Sequence, residues 1–142
     1  MKLILETEGL EYTLLQGSRE IEVENLVYDS RKDCSNSLFV CMKGSKFDSH
    51  KDIDKVVKAG AKALVIEEEI KDLPKEVTVI LVKSSRKALA LLSAAFFGYP
   101  VRKLTSIAIT GTKGKTTSTY MLKTILEKAG HKVGVIGTNG VL

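Results

Sequence analysis

Gly111-Thr112-Lys113-Gly114-Lys115-Thr116-Thr117 gathers glycines, lysines and hydroxyls into one short stretch. Those are the groups that phosphate binding requires. Two glycines let successive backbone N–H groups turn inward onto an anion. Lys115 can place its ammonium on β- and γ-phosphates, and the Thr116 hydroxyl can ligate Mg²⁺. In the usual pattern, Gly-x-x-x-x-Gly-Lys-Ser/Thr, the first glycine would fall on Ile109. The glycine present is Gly111, so the loop is a shortened form. The alternative is a glycine turn capped by threonines, with its lysines solvated.

A second group lies near the front, where Asp29-Ser30-Arg31 follows the apolar-polar stretch EIEVENLVY (residues 20–28). A serine between an aspartate and an arginine after a strand is either a ligand contact or a capped turn closed by an ion pair. The residues alone leave both readings open. Gly44-Ser45-Lys46-Phe47-Asp48 forms a further polar loop, and His50 stands at its exit into a helix.

These groups need elements to hold them. Residues 20–28 alternate as a strand, and LFVCM (38–42), ALVIE (63–67) and VTVILV (77–82) read as buried strands. Ile53, Val56 and Val57 have helical spacing, with Gly60 as the stop. Ser84 or Ser85 caps a second helix whose apolar face is Ala88, Leu89, Leu92, Ala95 and Phe96, ended by Pro100. This rhythm predicts an α/β domain over residues 1–98, with YPVRKL as a linker. A new strand is expected from about Thr105, then the phosphate loop, a helix over 117–129 packed through Met121, Leu122, Ile125, Leu126 and Ala129, and a second strand in KVGVIGT. That is the opening of a parallel-sheet nucleotide-binding domain over 99–142, which needs more strands than remain. The chain is therefore expected to be part of a longer protein, inactive by itself.

Composition narrows the classes. Hydrophobic residues make up 44% and charged residues 27% of 142, with two prolines, as in a globular protein rather than a disordered or fibrous one. No apolar run has the length of a membrane span, and the start, MKLILETEGLEY, lacks a signal peptide's apolar core, so a cytoplasmic location is expected. The net charge of +5 comes from lysines interleaved with acids, and aromatics are 6%. No nucleic-acid face is expected, and phosphorylated small molecules suit the charge. Cys34 and Cys41 fit no common zinc or redox spacing and read as reduced thiols.

The string TGTKGKTT (110–117) resembles the ATP-binding signature of the Mur ligases, ATP-dependent amide-bond-forming enzymes of peptidoglycan precursor synthesis. That signature usually has asparagine where this chain has Lys113. VYDSRK (27–32), LFVCMKG (38–44), FDSH (47–50) and GAKALVIEE resemble the family's uridine-diphosphate-binding front domain. Together the motifs look most like the member that adds the third stem-peptide residue to UDP-N-acetylmuramoyl-L-alanyl-D-glutamate. The nearest rival is the member that adds D-alanyl-D-alanine. The resemblance implies ATP and Mg²⁺ as cofactors, with Gly111, Thr112, Lys113, Gly114, Lys115, Thr116 and Thr117 at ATP, Lys115 as the catalytic residue and Thr116 on the metal. It implies Ser30 as the hydrogen-bonding contact to UDP, Asp29 and Arg31 shaping its turn, and Ser45, Lys46, Phe47 and Asp48 around the uracil. The reaction implied is carboxylate activation by ATP and attack by an amino acid's amine. Neither nucleic acid nor a membrane is implied as a partner. Two readings from other classes stand beside it: a phosphotransferase with an unrelated front domain, and a UDP-sugar-binding module with a vestigial loop.

Overall fold

The computed structural model describes residues 2–4, 7–44 and 48–142. The chain forms two compact units, Met1–Lys103 and Leu104–Leu142.

The front unit is built on a five-stranded sheet. Its strands are β2 (Tyr12–Gln16), β4 (Asn25–Val27), β5 (Ser37–Val40), β6 (Ala63–Ile66) and β7 (Thr78–Val82), in the order β2-β7-β6-β5-β4. The pairs β4–β5, β5–β6 and β6–β7 are parallel, and β2 adds antiparallel to β7. A separate two-stranded ribbon pairs β1 (Lys2–Ile4) with β3 (Glu20–Glu22). The α/β class is as expected, and the sheet is mixed and mainly parallel. The single strand expected over 20–28 is instead two, β3 and β4, in different sheets. Val23 and Glu24 separate them, with Val23 buried and the Glu24 N–H donating to the Asn36 carbonyl (2.8 Å). The strands β1 and β2 lie outside the expected elements; Tyr12–Gln16 alternates half-buried and exposed, a pattern that its adjacent Leu14 and Leu15 hide in the sequence.

Strands covered on both faces are apolar at nearly every position, because successive side chains point to opposite sides. Leu38, Val40, Ala63, Val65, Ile80 and Val82 enter one core, which holds Ala88 and Leu92 of α2 (Ser85–Phe96). Phe39, Cys41, Leu64, Ile66, Val77 and Val79 enter the other, with Ile53 and Val56 of α1 (Ile53–Lys58). Ser84 caps α2, its hydroxyl accepting from the Lys87 N–H, and the predicted apolar face of that helix is the one that packs. α2 ends before Pro100, which opens a 3₁₀ turn, Pro100–Lys103. The segment read as a linker is thus folded onto the front unit. Arg102 lies 4.2 Å over the Tyr99 ring and pairs with Glu8 at 2.5 Å. Both cysteines are free and buried, and burial pushes the Cys41 thiol up to about 12.

One glycine is fixed by close approach. Gly17 follows the irregularity between Leu14 and Gln16, with φ at +88°, and a Cβ there would lie 2.6 Å from the Thr78 Cα.

In the rear unit the helix is α3 (Lys115–Lys128), two residues earlier than expected at its start. Three expectations are corrected there. The stretch from Thr105 to Thr110 joins no ladder among the described residues, so no parallel strand pair precedes the loop. The expected second strand is a short antiparallel hairpin, β8 (Ile136–Gly137) with β9 (Gly140–Val141). The apolar residues of α3 are not core: Met121 and Ile125 are exposed, and no α3 residue is buried. The physical reason is common to all three. A strand is stabilised by its neighbours' hydrogen bonds and a helix face by what covers it, and the described residues of this unit supply neither.

Candidate functional site

The C-terminal ends of the parallel strands face one edge of the front sheet, the place where open α/β sheets bind ligands. β4 leads directly into Tyr28-Asp29-Ser30-Arg31. The Lys32 N–H donates to the Asp29 carbonyl (3.0 Å), closing a turn. Arg31 grips Asp29 through two side-chain bonds of 2.8 and 2.7 Å. That fork, with a third bond from the Arg31 N–H, holds the Asp29 carboxyl well below the usual carboxylate range. The capped turn closed by an ion pair is therefore present. It does not occupy Ser30, which is 6% exposed and donates its hydroxyl to Asp52 Oδ2 at 2.6 Å.

Past β5 the chain runs through Cys41 to Asp48. Fully buried Ser49 fixes the base of this loop, its Oγ accepting from the Met42 N–H at 2.6 Å. Ser45, Lys46 and Phe47 lie outside the described residues. Asp48 caps the 3₁₀ turn Ser49–Asp52 and accepts from the His50 N–H (3.0 Å) and from His50 Nδ1 (2.6 Å). The Glu67 N–H, just past β6, donates to His50 Nε2 at 3.1 Å. A ring nitrogen that accepts carries no proton, so His50 is held in its Nδ1–H form. Glu67 Oε1 in turn accepts from the Ser85 N–H at the start of α2 (2.6 Å). His50 thus ties its own turn to the segment after β6, in keeping with its reading as a boundary residue, and Glu67 carries the connection on to α2. Asp52 and Glu67 were not singled out from sequence. Their partners lie 22 and 17–18 residues away, so no local spacing marks them.

The hydrogen bonds from His50 lower the Asp48 pKa, as Arg31 does for Asp29, Lys43 for Glu68 and the Ser35 N–H for Asp33. A carboxyl with a depressed folded-state pKa adds stability above its unfolded value and loses it as pH falls through the folded value. Thermal melts should therefore be flat above about pH 5 and decline below about pH 4, less steeply in Asp48→Asn. A melting temperature unchanged down to pH 3 contradicts these pairings.

The rear unit carries the glycine-lysine loop into the N-terminus of α3. Gly114 is the N-cap with φ at +74°, a conformation that side chains rarely adopt. The first turn of α3 contains no acidic residue, leaving its free N–H groups unopposed. Lys115 Nζ donates to the Gly111 carbonyl at 2.6 Å, so the ammonium is folded back over the loop. Lys115 and Thr116 also line a cavity of about 140 Å³ with Ile109, Thr119, Tyr120 and Asn139. Thr112, Lys113 and Thr117 are exposed, and Lys113 has no hydrogen-bond or ion-pair partner among the described residues. No group of three or more His, Cys, Asp and Glu converges among those residues. Thr116, in the first turn of α3, presents an exposed hydroxyl beside Lys115. No helix among the described residues is long and apolar enough to cross a membrane.

Residues 22–97, more than half of the chain, match the model of the Mur ligase family, catalytic domain. The chain belongs to the Mur ligase family. This Mur ligase chain is 47% identical over 131 residues to the UDP-N-acetylmuramoyl-L-alanyl-D-glutamate–2,6-diaminopimelate ligase of Clostridium perfringens, covering 92% of this chain and 27% of that protein. It is 46% identical over 140 residues to the ligase of the same name from Clostridium tetani, covering 97% and 29%. It thus spans under a third of the length of these relatives. Among solved structures it resembles MurF from Acinetobacter baumannii, with a TM-score of 0.55 and 34% identity over 77% of this chain and 22% of that one. It also resembles the MurF ligase of Thermotoga maritima in complex with ADP, with a TM-score of 0.56 and 29% identity over 75% and 24%.

Proposed function

We propose that this chain is the front part of an ATP-dependent ligase that joins an amino acid to UDP-N-acetylmuramoyl-L-alanyl-D-glutamate in peptidoglycan precursor synthesis. The observation that carries this reading is a single alignment at 46% identity running through both units, 97% of the chain, into a protein named as that ligase. The relatives' name makes 2,6-diaminopimelate the amino acid to test first. The D-alanyl-D-alanine-adding ligase is ranked second, because a solved structure named as that ligase shares 34% identity.

The two units divide the work. The front unit holds the UDP end of the substrate at the sheet edge bearing Ser30, Arg31 and Asp48, a division that the parallel-strand ends and the buried Ser30 support. Ser45, Lys46 and Phe47 belong to the same loop in this reading. The rear loop receives ATP, with N–H groups from Gly111 to Thr117 and the Lys115 ammonium on its phosphates and Thr116 toward Mg²⁺. Moving Lys115 Nζ from the Gly111 carbonyl to a phosphate exchanges a neutral acceptor for a charged one. Catalysis is then positioning and charge neutralisation while the carboxylate is activated and an amine attacks.

Titration calorimetry on the 142-residue chain tests the front half. Ser30→Ala should weaken UDP-N-acetylmuramoyl-L-alanyl-D-glutamate about 10- to 100-fold, the result of leaving one buried ligand group unpaired at about 1–3 kcal/mol. ATP binding should be unaffected. Unchanged affinity in Ser30→Ala removes Ser30 from the site, and preference for the tripeptide-bearing nucleotide over the dipeptide favours the second-ranked ligase.

A further inference from the structure

We infer that Asp52 is a positioning residue that makes Ser30 a pure hydrogen-bond acceptor, so that the front unit selects a ligand presenting an N–H, the imide of uracil. The inference rests on the uridine-nucleotide reading of this edge and specifies how the base is read.

The argument begins with proton inventory. A serine hydroxyl has one hydrogen and two lone pairs, whereas a carboxylate only accepts. The 2.6 Å contact between Ser30 Oγ and Asp52 Oδ2 therefore has one direction, and the single hydrogen of Ser30 is spent on it. Ser30 is 6% exposed, so solvent does not offer a ready alternative partner. What Ser30 can still give a ligand is lone pairs. Asp52 is held where it is by the chain: it ends the 3₁₀ turn Ser49–Asp52, whose start is pinned by buried Ser49 and capped by Asp48, and it precedes α1, whose Ile53 and Val56 are buried in the core. Its side chain makes no capping bond to α1, so its orientation is not explained by helix capping. Ser30 is set by the turn that Arg31 and Asp29 close.

An acceptor-only oxygen discriminates between pyrimidines. Uracil carries N–H at ring position 3, which completes the bond. Cytosine carries a bare nitrogen there, and its lone pair would face those of Ser30 with no proton between them. Ribose hydroxyls can donate as well, so the sugar is the other source of a donor. A hydroxyl both donates and accepts, and an oriented acceptor is not needed to read it. An unmatched buried polar pair is the kind of defect that yields strong discrimination.

The test is titration of the 142-residue chain with UDP, CDP and 2′-deoxy-UDP, in wild type, Asp52→Ala, Ser30→Ala and the double variant, with circular dichroism on each. Wild type should bind UDP at least about tenfold more tightly than CDP, with 2′-deoxy-UDP close to UDP. In Asp52→Ala the Ser30 hydroxyl is free to rotate and donate to cytosine, so the UDP-to-CDP ratio should fall toward one. Ser30→Ala should collapse the ratio too, and the double variant should show no further change, the mark of two residues acting through one contact. A purely structural role for Asp52 predicts equal weakening of both nucleotides and an unchanged ratio, which overturns the inference. A wild-type ratio near one, or a loss on removing the 2′-hydroxyl with CDP bound as well as UDP, overturns it also. If Asp52→Ala does not fold, Asp52→Leu, close to aspartate in size and unable to accept a hydrogen bond, takes its place, and an unchanged ratio there overturns the inference. Absence of any uridine-nucleotide binding in wild type is a different failure, and removes the reading of the front unit on which this rests.

Discussion

Replacing Lys115 by alanine, in a ligase carrying this segment, is expected to cut ligation about a thousandfold while UDP-substrate affinity stays within about twofold. One pre-organised donor aimed at developing charge is commonly worth 10²–10³ in turnover, and a full cation on a transferring phosphoryl group belongs at the upper end. Gly114 and the acid-free first turn of α3 place Lys115 beside free N–H groups, so no neighbouring carboxylate competes for it there. The present partner of its ammonium is a carbonyl of the same loop, and the loop loses one solvent-exposed bond when the side chain goes. The measurement is phosphate release and ligated product at saturating substrates, beside a titration with the UDP-linked dipeptide. Loss of both ligation and UDP-substrate binding contradicts the division of labour between the two units.

Phe39→Ala should destabilise the front unit by about 3–5 kcal/mol, a large part of the 5–15 kcal/mol typical of a domain. Phe39 is fully buried in β5, which is paired on both sides by β4 and β6, and it shares a core with Leu64, Ile66, Val79, Ile53 and Val56. Strands fixed on both sides by parallel ladders cannot collapse into the space left behind. Urea denaturation should show a lower midpoint with an unchanged slope, and uridine-nucleotide binding should persist under strongly native conditions. A change under about 1 kcal/mol means that Phe39 is not packed in the core as described.

The sequence announces those elements whose physics is local. α2 is legible because its apolar spacing, its Ser84 cap and its packed face coincide. Strands β5, β6 and β7 are legible because burial on both faces leaves an uninterrupted apolar run. β3 and β4 are not separable by reading, since alternation continues through Val23 while the ladder changes partner. In the rear unit the Gly-Lys-Thr string marks a helix, α3, that starts two residues before the expected position, and Met121 and Ile125 show that an apolar stripe specifies a need for cover, not its presence. At the front edge, YDSR marks Ser30, whereas Asp52 and Glu67 emerge only when the fold brings distant segments to one end of the sheet.

The central claim, that the front unit takes the uridine nucleotide and the rear loop takes ATP, is tested most directly by amide chemical-shift mapping of the 142-residue chain with each ligand in turn. UDP-N-acetylmuramoyl-L-alanyl-D-glutamate should shift the amides of Asp29 to Arg31, Asp48 to Asp52 and Glu67 and leave those of Gly111 to Thr117 in place. ATP with Mg²⁺ should do the reverse. Shifts from the UDP-linked ligand confined to the rear loop, or both ligands perturbing one common set of residues, would contradict the account.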